Sequence, residues 1–281
     1  MREYAEAVAK AIKEKYNELN PEVVEVVKMN DEAYVGVQLK REGSNIAPIY
    51  YINPFCEYGA SVDECVKEIM DTTVDLSEVE FKEEDSLNWE AVKDSVTMRL
   101  INLEYNEKYL ADKVHIDLKN GLAVMFDINR GDCRVAVTND VAKTLECDEV
   151  MLVVASQNSK VGTPTLYDLA ERMFVDEPTN FLENGRASHS SMLVLTAKDT
   201  DCGASMIYKS GVAEKIEESV GEYYLLPSSV HEWIVVPTFS GIAVEELRKM
   251  VEEANNTVVD RGDLLSYGVY KWEGGSLKKI A

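Results

Sequence analysis

The hairpin pattern over residues 122–138 restricts the fold more than any other feature of this sequence. A buried-type apolar run, Leu122-Ala-Val-Met-Phe-Asp-Ile128, leads through Asn129-Arg-Gly-Asp132 into Arg134-Val-Ala-Val-Thr138. Two strand-like runs joined by so short a turn pair in antiparallel fashion. Amphipathic helical patterns occur elsewhere in the chain. We therefore predict an α+β fold with mixed or mainly antiparallel sheets and helices packed on them.

The first 85 residues predict a unit of their own. Apolar residues at helical spacing indicate an N-terminal helix ended by Pro21, and β-branched runs up to Ile52 indicate three strands, the first two joined at Asn30-Asp31. A capping box, Ser61-x-x-Glu64, begins a second helix. We expect a helix–three-strand–helix unit with an acidic connection at 1–85 and a larger α+β unit at 86–281. One compact domain would also fit the length.

In the second unit, further patterns predict individual elements. The run Val96–Leu103 favours a strand, with a helix as the alternative, and residues 139–156 are helical in pattern. Another helix is expected to begin near Thr165. The sequence Gly203-Ala-Ser-Met-Ile-Tyr208 indicates a strand, and the last residues predict a hairpin across Gly274-Gly275.

The charge balance limits the classes of partner. The chain has 51 acidic and 29 basic residues, which gives a net charge of −22, and the stretch from Glu57 to Asp94 contains thirteen acidic residues against three lysines. The negative electrostatic field of these carboxylates repels phosphate backbones and anionic lipids. We therefore expect neither direct nucleic-acid binding nor membrane binding. A basic protein partner fits it, as does mimicry of a nucleic acid. Acidity of this kind also keeps a protein soluble.

The compartment and cofactor predictions rest on missing signals. No run approaches the length of a membrane span, and the charged start Met1-Arg2-Glu3-Tyr4 lacks a signal-peptide core. The five cysteines form no C-x-x-C pair, which favours reduced thiols. We therefore predict a cytoplasmic protein. Because phosphate loops, dinucleotide fingerprints and zinc-protease motifs do not occur, we expect no cofactor and no metal.

The strongest local constellation for catalysis is Ser228-Ser229-Val230-His231-Glu232. An imidazole can activate a serine hydroxyl when a turn brings them together, and Glu232 or another acid can orient the ring. That pattern would suit a hydrolase or a transferase. The competing interpretation is a turn between two strands, in which the serines bond to backbone groups and His231 makes one hydrogen bond.

A second polar group lies in Arg99-Leu-Ile-Asn-Leu-Glu-Tyr-Asn106. On a strand, Asn102, Glu104 and Asn106 would share one face, because side chains alternate between the faces of a strand. Arg99, Asn102 and Asn106 are therefore candidates for ligand binding. The alternative is a solvated or turn-forming strand end.

Several of these segments resemble a domain family of unknown function from gut Clostridia and related Firmicutes. The similar segments are Arg99–Asn106, Val135-Ala-Val-Thr-Asn-Asp140 and, most specifically, Leu225-Leu-Pro-Ser-Ser-Val-His-Glu232, with the opening Tyr4-Ala-Glu-Ala-Val and Glu42–Ile49 also alike. The chain departs from the family at Leu195-Thr196-Ala197, where Leu-Thr-Asn is expected. The resemblance implies a shared fold and assigns no activity.

Three hypotheses of function follow from the sequence. The first is a non-enzymatic binding or regulatory protein with an acidic surface. The second is a hydrolase or transferase with a site around Ser228, Ser229, His231 and Glu232. The third is an acidic mimic of nucleic acid. A structure in which His231, Asn102 and a large pocket converge would favour a catalytic or ligand site, and their dispersion would favour an interaction protein.

Overall fold

The chain forms two compact units, Met1–Ser86 and Leu87–Ala281. In this computed structural model the described residues are 1–41, 47–72, 88–130, 133–184, 190–198 and 201–281. The strands pair in antiparallel sheets and helices pack against them, so the predicted α+β fold is confirmed. Most of the predicted acidic connection, together with residues 42–46 of one family-like segment, lies outside the described residues.

The first unit contains the predicted order of helix, three strands and helix, with one additional short helix. Its strands form a sheet in the order β1-β2-β3. The elements are α1 (Arg2–Lys15), β1 (Leu19–Val27), β2 (Ala33–Arg41), β3 (Ile49–Tyr51), α2 (Asn53–Glu57) and α3 (Val62–Thr72).

Local chemistry explains the turns of this unit. Asn30 and Asp31 join β1 to β2 with left-handed φ angles of 55° and 52°, a conformation that Asn and Asp tolerate better than most residues. The predicted capping box is present, since Ser61 N donates to Glu64 Oε2 (2.8 Å) and Glu64 N donates to Ser61 Oγ (3.3 Å). The prediction that Pro21 ends the first helix is wrong, because α1 ends at Lys15 and Pro21 lies within β1.

The core of the first unit lies between its sheet and the helices α1 and α3. Both helices are amphipathic and turn their apolar faces inward, which removes those side chains from water. The most deeply buried residues are Ala5, Val8, Ile12, Leu19, Val37, Ile52, Cys65 and Ile69.

The second unit is larger and contains two sheets. Its helices are α4 (Trp89–Val92), α5 (Glu107–Leu110), α6 (Asn139–Thr144), α7 (Glu149–Asn158), α8 (Leu169–Phe174), α9 (Phe181–Asn184), α10 (Val212–Val220) and α11 (Val244–Thr257). Its strands are β4 (Val96–Asn102), β5 (His115–Asp117), β6 (Leu122–Arg130), β7 (Cys133–Ala136), β8 (Pro164–Asp168), β9 (Leu193–Ala197), β10 (Tyr223–Ser229), β11 (Glu232–Pro237), β12 (Tyr270–Glu273) and β13 (Ser276–Lys279).

One sheet has the order β4-β6-β5, with β7 also paired to β6, and the other has the order β13-β12-β10-β11-β9-β8. The hairpin predicted from residues 122–138 is β6–β7, in register at Ile128 and Val135. The strand at Val96–Asn102 and the C-terminal hairpin β12–β13 are also confirmed. Within the described residues, no helix combines the length and apolar character that a membrane crossing requires.

Three sequence predictions for the second unit need correction. Residues Gly203–Tyr208 form a 3-10 helix and not a strand. The helix expected near Thr165 begins instead at Leu169, because 164–168 pair with β9 and Asp168 accepts hydrogen bonds as the N-cap. The helical region 139–156 is two helices, since Asp148 caps a new helix by accepting from Met151 N (2.8 Å).

A short connecting segment, residues 263–266, links the two sheets of this unit. Val230 N, in the turn after β10, donates to the carbonyl oxygen of Asp263 (2.9 Å). At the end of β4, Asn102 Nδ2 donates to the carbonyl oxygen of Leu265 (3.1 Å). Asn255 Nδ2 of α11 donates to the carbonyl oxygen of Ser266 (2.8 Å). The turn between two strands of one sheet, a strand of the other sheet and one helix are therefore bonded to the same short segment.

Candidate functional site

The serine and histidine candidates lie at the turn between β10 and β11. Ser228 Oγ donates to Glu232 Oε1 (3.1 Å), and the His231 backbone N–H donates to Ser229 Oγ (3.0 Å). Both serine hydroxyls therefore have partners within the turn itself. Among the hydrogen bonds of the described residues, none joins either hydroxyl to the His231 ring.

The His231 ring makes two contacts that use both of its nitrogen atoms. Nδ1 accepts from the backbone N–H of Cys202 (3.1 Å), and Nε2 lies 3.3 Å from Asp263 Oδ1. Because Nδ1 accepts, the proton of the neutral ring is on Nε2, the nitrogen that faces the carboxylate. The ring therefore has no spare lone pair with which to take a proton from a serine. The catalytic role of His231 stays a prediction that these contacts do not support.

Cys202, which His231 contacts, begins the 3-10 helix in a left-handed conformation (φ 64°). Its buried Sγ lies 3.7 Å from Arg134 Nη1. Burial raises the pKa of the Cys202 thiol, and the positive charges of Arg99 and Arg134 offset only part of that effect. A thiol kept neutral in this way is a poor nucleophile, since the thiolate is the reactive form.

The predicted ligand-binding Arg99 lies in the interior of the second unit. Arg99 Nε donates to Asp127 Oδ2 (2.9 Å) across neighbouring strands β4 and β6, and the two side chains are only 10% and 3% exposed. The second oxygen of Asp127, Oδ1, is buried and has no hydrogen-bond partner in the described part of the chain. The contacts of Arg99 are those of an internal ion pair.

The asparagine candidates bond to backbone groups. Asn102 Nδ2 bonds to the connecting segment, its Oδ1 accepts from Tyr105 N (2.9 Å), and Asn106 Nδ2 donates to the carbonyl oxygen of Asn102 (2.7 Å). The predicted shared strand face is wrong, because β4 ends at Asn102 and 104–106 form a 3-10 turn. Their ligand-binding role stays a prediction, and the amides here stabilise the end of the strand.

A cavity of about 610 Å³, which none of these residues lines, lies where β5, α6 and α7 begin. This volume is within the range of small-ligand sites. Its walls combine the apolar side chains of Ala111, Val114 and Val150 with polar ones. The polar lining residues are Lys113, His115, Asn139, Cys147, Asp148 and Glu149.

The polar groups of the cavity are mainly hydrogen-bond acceptors. His115 Nδ1 lies 2.9 Å from the Lys113 carbonyl oxygen, which can only accept, so Nε2 is the acceptor of the neutral ring. The Lys113 ammonium lies 2.8 Å from Asp112 Oδ1 and over the Tyr109 ring, and its side chain is only 13% exposed. Asp148 and Glu149 add two exposed carboxylates. Burial raises the pKa of the Cys147 thiol, which is therefore protonated at neutral pH.

Helix α7 leads away from this cavity and exposes apolar side chains. Its sequence holds six consecutive apolar residues, Val150 to Ala155, whereas only Leu152 and Ser156 are buried. Val150 is 70% exposed and Val154 is 54% exposed, one helical turn apart on the same face. We call these two valines, together with the cavity, the α7 surface.

Comparison with known sequences places the chain in a family. The profile of a family of unknown function, DUF5688, matches residues 1–273. The chain belongs to the DUF5688 family. No curated protein and no solved structure matches the sequence at a significant level.

Membership in DUF5688 confirms the resemblance to a domain family of unknown function. The most specific of the resembling segments, Leu225–Glu232, is β10 with its turn to β11, and it is held by hydrogen bonds to Cys202, Thr196 and Asp263. These contacts suit a structural role for the segment. The function of the family is unknown, so membership assigns the segment no other role.

Sequence reasoning missed the cavity and the α7 surface. One signal was available, because a ten-residue helix with six consecutive apolar residues lacks the polar face of an ordinary surface helix. His115 carried no comparable signal. Its position in the cavity depends on the pairing of β5 with β6, which the sequence pattern did not predict.

Proposed function

We propose that this DUF5688 protein is a non-enzymatic binding protein that holds a basic partner protein on the α7 surface. The observation that carries the proposal is the exposure of Val150 and Val154 on a helix whose residues 150–155 are all apolar. A helix of this composition is normally covered, and exposed apolar groups next to a concave site mark contact surfaces.

The energetics of the two valines support a protein partner. Fully burying an aliphatic side chain of this size gains about 1.5–3 kcal/mol, and a partner can still cover the exposed 70% of Val150 and 54% of Val154. Val150 and Val154 lie one turn apart, so a partner element that covers one can cover the other.

The charge of the surroundings supports a basic partner. Glu146, Asp148 and Glu149 are exposed beside the valines, and the chain carries a net charge of −22. An acidic rim attracts a basic surface and increases the rate of association at low ionic strength. It also repels a second copy of this chain.

The contacts around His231 support binding over catalysis. The serines bond within their own turn, and the two ring nitrogens contact a backbone N–H and a carboxylate. The 610 Å³ cavity is lined by neither Asn102 nor His231. The residues on which the hydrolase or transferase hypothesis depends are therefore not among those that line this cavity.

The test is site-specific photo-cross-linking in cells of the source organism. A benzophenone amino acid at position 150 or 154 should label one basic protein, and the same group at Val258, an exposed valine (81%) elsewhere in the chain, should not. With the purified partner, Val150→Asp/Val154→Asp should weaken binding about tenfold or more, whereas Val258→Asp should not change it.

Three outcomes would contradict the proposal. Labelling from position 258 equal to that from 150 would show adventitious contact. Cross-linking to a second copy of the chain would assign the α7 surface to self-association. Absence of any adduct from both 150 and 154 would show that the surface has no partner in the cell.

A further inference from the structure

Strand β1 forms an edge of the sheet in the first unit. Among the described residues, β1 pairs along its whole length with β2 and with no other strand. An edge strand presents a row of backbone N–H and C=O groups to which a further strand can bond. Val27 on this strand is 37% exposed. The outer edge of β1, the one away from β2, is therefore a place where a strand from another chain can be added.

The hydrogen bonds of β2 show which groups of β1 point to this outer edge. Toward β3, Leu39 N donates to the Pro48 carbonyl oxygen (2.9 Å) and the Val35 carbonyl oxygen accepts from Ile52 N (3.0 Å). The odd-numbered residues of β2 therefore bond toward β3, and its even-numbered residues bond toward β1. Even-numbered residues of β2 lie opposite even-numbered residues of β1. The N–H and C=O groups at the outer edge are consequently those of Val23, Glu25 and Val27.

The position of Pro21 agrees with this assignment. Pro21 is an odd-numbered residue of β1, and proline has no backbone N–H to donate. At the outer edge the missing donor costs no bond with β2, and edge strands are where proline occurs within sheets. Pro21 also ends the row of outward donors, so an added strand can bond at Val23, Glu25 and Val27 but not beyond them in that direction.

The sequence of β1 is complementary to itself when two copies run antiparallel. Residues 22–28 read Glu-Val-Val-Glu-Val-Val-Lys, with Glu25 at the centre. When Glu25 lies opposite Glu25 of a second copy, Val23 lies opposite Val27, and the outward N–H and C=O groups face each other. Glu22 of each copy then lies opposite Lys28 of the other, because the pair has twofold symmetry. The register that uses every outward group also pairs opposite charges.

The same register joins two apolar sheet faces. Val24 and Val26 point to the face of the sheet opposite the core, as do Tyr34 and Tyr51, whose rings are 5.4 Å apart. Between two copies, Val24 would lie opposite Val26. Such a pair is not hydrogen-bonded, and side chains approach most closely in pairs of that kind. The added strand would therefore extend this apolar face across both copies.

The distribution of charge favours a second copy as the occupant of this edge. The first 41 residues contain eight acidic and seven basic residues, whereas the whole chain carries a net charge of −22. Two copies that meet through β1 therefore bring together nearly neutral segments, and a strongly basic partner gains little there. The like charges of Glu25 and its copy oppose the contact, but each Glu25 is bound to Arg2 Nη1 of its own chain (2.9 Å).

We propose that two copies of this chain associate through the outer edges of β1, with Glu25 at the twofold axis, so that their sheets join into one continuous antiparallel sheet. This contact uses the first unit alone and does not depend on the α7 surface. Either proposal can therefore fail while the other stands.

The first experiment measures the mass of the full chain in solution. Sedimentation equilibrium at physiological salt should show a mass that rises with concentration from 31.5 kDa to twice that value. Glu25→Gln removes the opposed charges and should tighten the dimer about threefold or more. A mass of one chain at every concentration up to about 100 μM would overturn the proposal.

Charge reversal tests the register. Glu22→Lys and Lys28→Glu each place like charges opposite one another twice, so each should weaken the dimer about tenfold. A mixture of the two variants should restore it, because every pair in the mixed dimer is again of opposite charge. Within one copy the two positions are about 20 Å apart along the strand and cannot compensate each other. Lys67→Glu on α3 is the control and should leave the dimer unchanged. A mixture no tighter than the separate variants would overturn this register.

Hydrogen exchange tests the backbone contact itself. The amides of Val23, Glu25 and Val27 should exchange at least about tenfold more slowly in the dimer than in the dilute monomer, whereas those of Val24 and Val26, which bond to β2 in both states, should change little. Outward amides that exchange equally fast in the dimer would place the contact elsewhere and overturn the proposal. A monomeric chain whose outward amides are protected only by a different protein would assign the edge to a foreign strand, which would also overturn it.

Discussion

The turn that carries His231 and the α7 surface differ in how their reactive groups are used. Around His231 each candidate side chain bonds to a neighbour: the serines within the turn, the ring to Cys202 N and Asp263, and Arg99 to Asp127. On the α7 surface two valines face solvent, and Glu149 forms no ion pair among the described residues. One region holds the fold together, and the other is available for contact.

The difference shows why residue types that are common in active sites did not locate a functional site in this sequence. A serine, a histidine and a glutamate in one short segment indicate catalysis only if their polar atoms remain free. Here those atoms pair with backbone N–H groups or with carboxylates, because a half-buried turn must satisfy its hydrogen bonds. The residues that remain available for contact are instead the exposed apolar side chains of Val150 and Val154.

The largest expected effect is at the internal ion pair. Arg99→Met leaves the Asp127 carboxylate buried without its partner, and this should cost about 3–5 kcal/mol of unfolding free energy. The double variant Arg99→Met/Asp127→Leu removes both charges and should recover most of that loss. Urea unfolding monitored by tryptophan fluorescence measures both. Equal stability of Arg99→Met and wild type would show that the ion pair between Arg99 and Asp127 does not stabilise the fold.

A smaller loss is expected from the histidine. His231→Ala leaves the Cys202 N–H without its acceptor and Asp263 without its donor, which should cost about 1–3 kcal/mol. Ser228→Ala, which breaks one half-buried bond to Glu232, should cost less than about 1 kcal/mol. The same unfolding assay gives both values. A larger effect for Ser228→Ala than for His231→Ala would reverse the ranking that these contacts imply.

The stability that Asp168 contributes as the N-cap of α8 should depend on pH. Burial raises the pKa of Asp168, but hydrogen bonds from Ser190 and from Glu171 N and Ala170 N have the opposite and larger effect. The pKa of Asp168 is therefore below its ordinary value of 3.8. A carboxyl group with a lowered pKa stabilises the folded state when the pH is above the pKa of the unfolded state. This contribution is lost as the pH falls through the pKa of the folded state. Asp168→Asn, which caps but does not titrate, removes this contribution.

The measurement is the difference in unfolding free energy between wild type and Asp168→Asn at pH 6, 4 and 3. The difference should be constant at and above pH 6 and should shrink between pH 4 and 3, because the other carboxylates cancel in the comparison. A difference that does not vary with pH would show that the ionised form of Asp168 gains nothing from its hydrogen bonds.

The smallest expected effect on stability is at the α7 surface. Val150→Asp/Val154→Asp changes two exposed side chains and should alter the unfolding free energy by no more than about 0.5 kcal/mol per site. Leu152→Ala on the buried face of the same helix should cost about 2–5 kcal/mol. Thermal unfolding of the two variants compares the faces directly. A large loss from the valine variant would mean that these residues support the fold.

Local sequence signals predicted much of the architecture, because they depend on neighbouring residues. The β6–β7 hairpin, the Asn30-Asp31 turn and the Ser61–Glu64 capping box each follow from chemistry within a few positions. The predictions that failed depend on distant parts of the chain. Residues 203–208 were expected as a strand, but the backbone at Gly203 packs against the His231 carbonyl oxygen and Ala197 N, where an added Cβ would lie 2.4 and 2.6 Å from those atoms.

The candidate sites show the same limit. The sequence located His231, but its partner Asp263 is 32 positions away, and the Cys202 N–H comes from a third segment. The cavity brings together residues 111–115 and 139–150, which meet because Lys113 pairs with Thr138 and Asn139 N donates to the carbonyl oxygen of Asp112 (2.9 Å). Exposure of Val150 depends on what packs against α7, a property that a single sequence does not encode locally.

The connecting segment at 263–266 has a consequence for the way the second unit opens. Because the β10–β11 turn, the end of β4 and helix α11 all bond to these four residues, loosening of either sheet releases bonds of the other. The amide protons of Val230 and those along β4 should therefore exchange with solvent at similar free energies. The second unit would then open as one cooperative block, with the exposed face of α7 unaffected until the whole block unfolds.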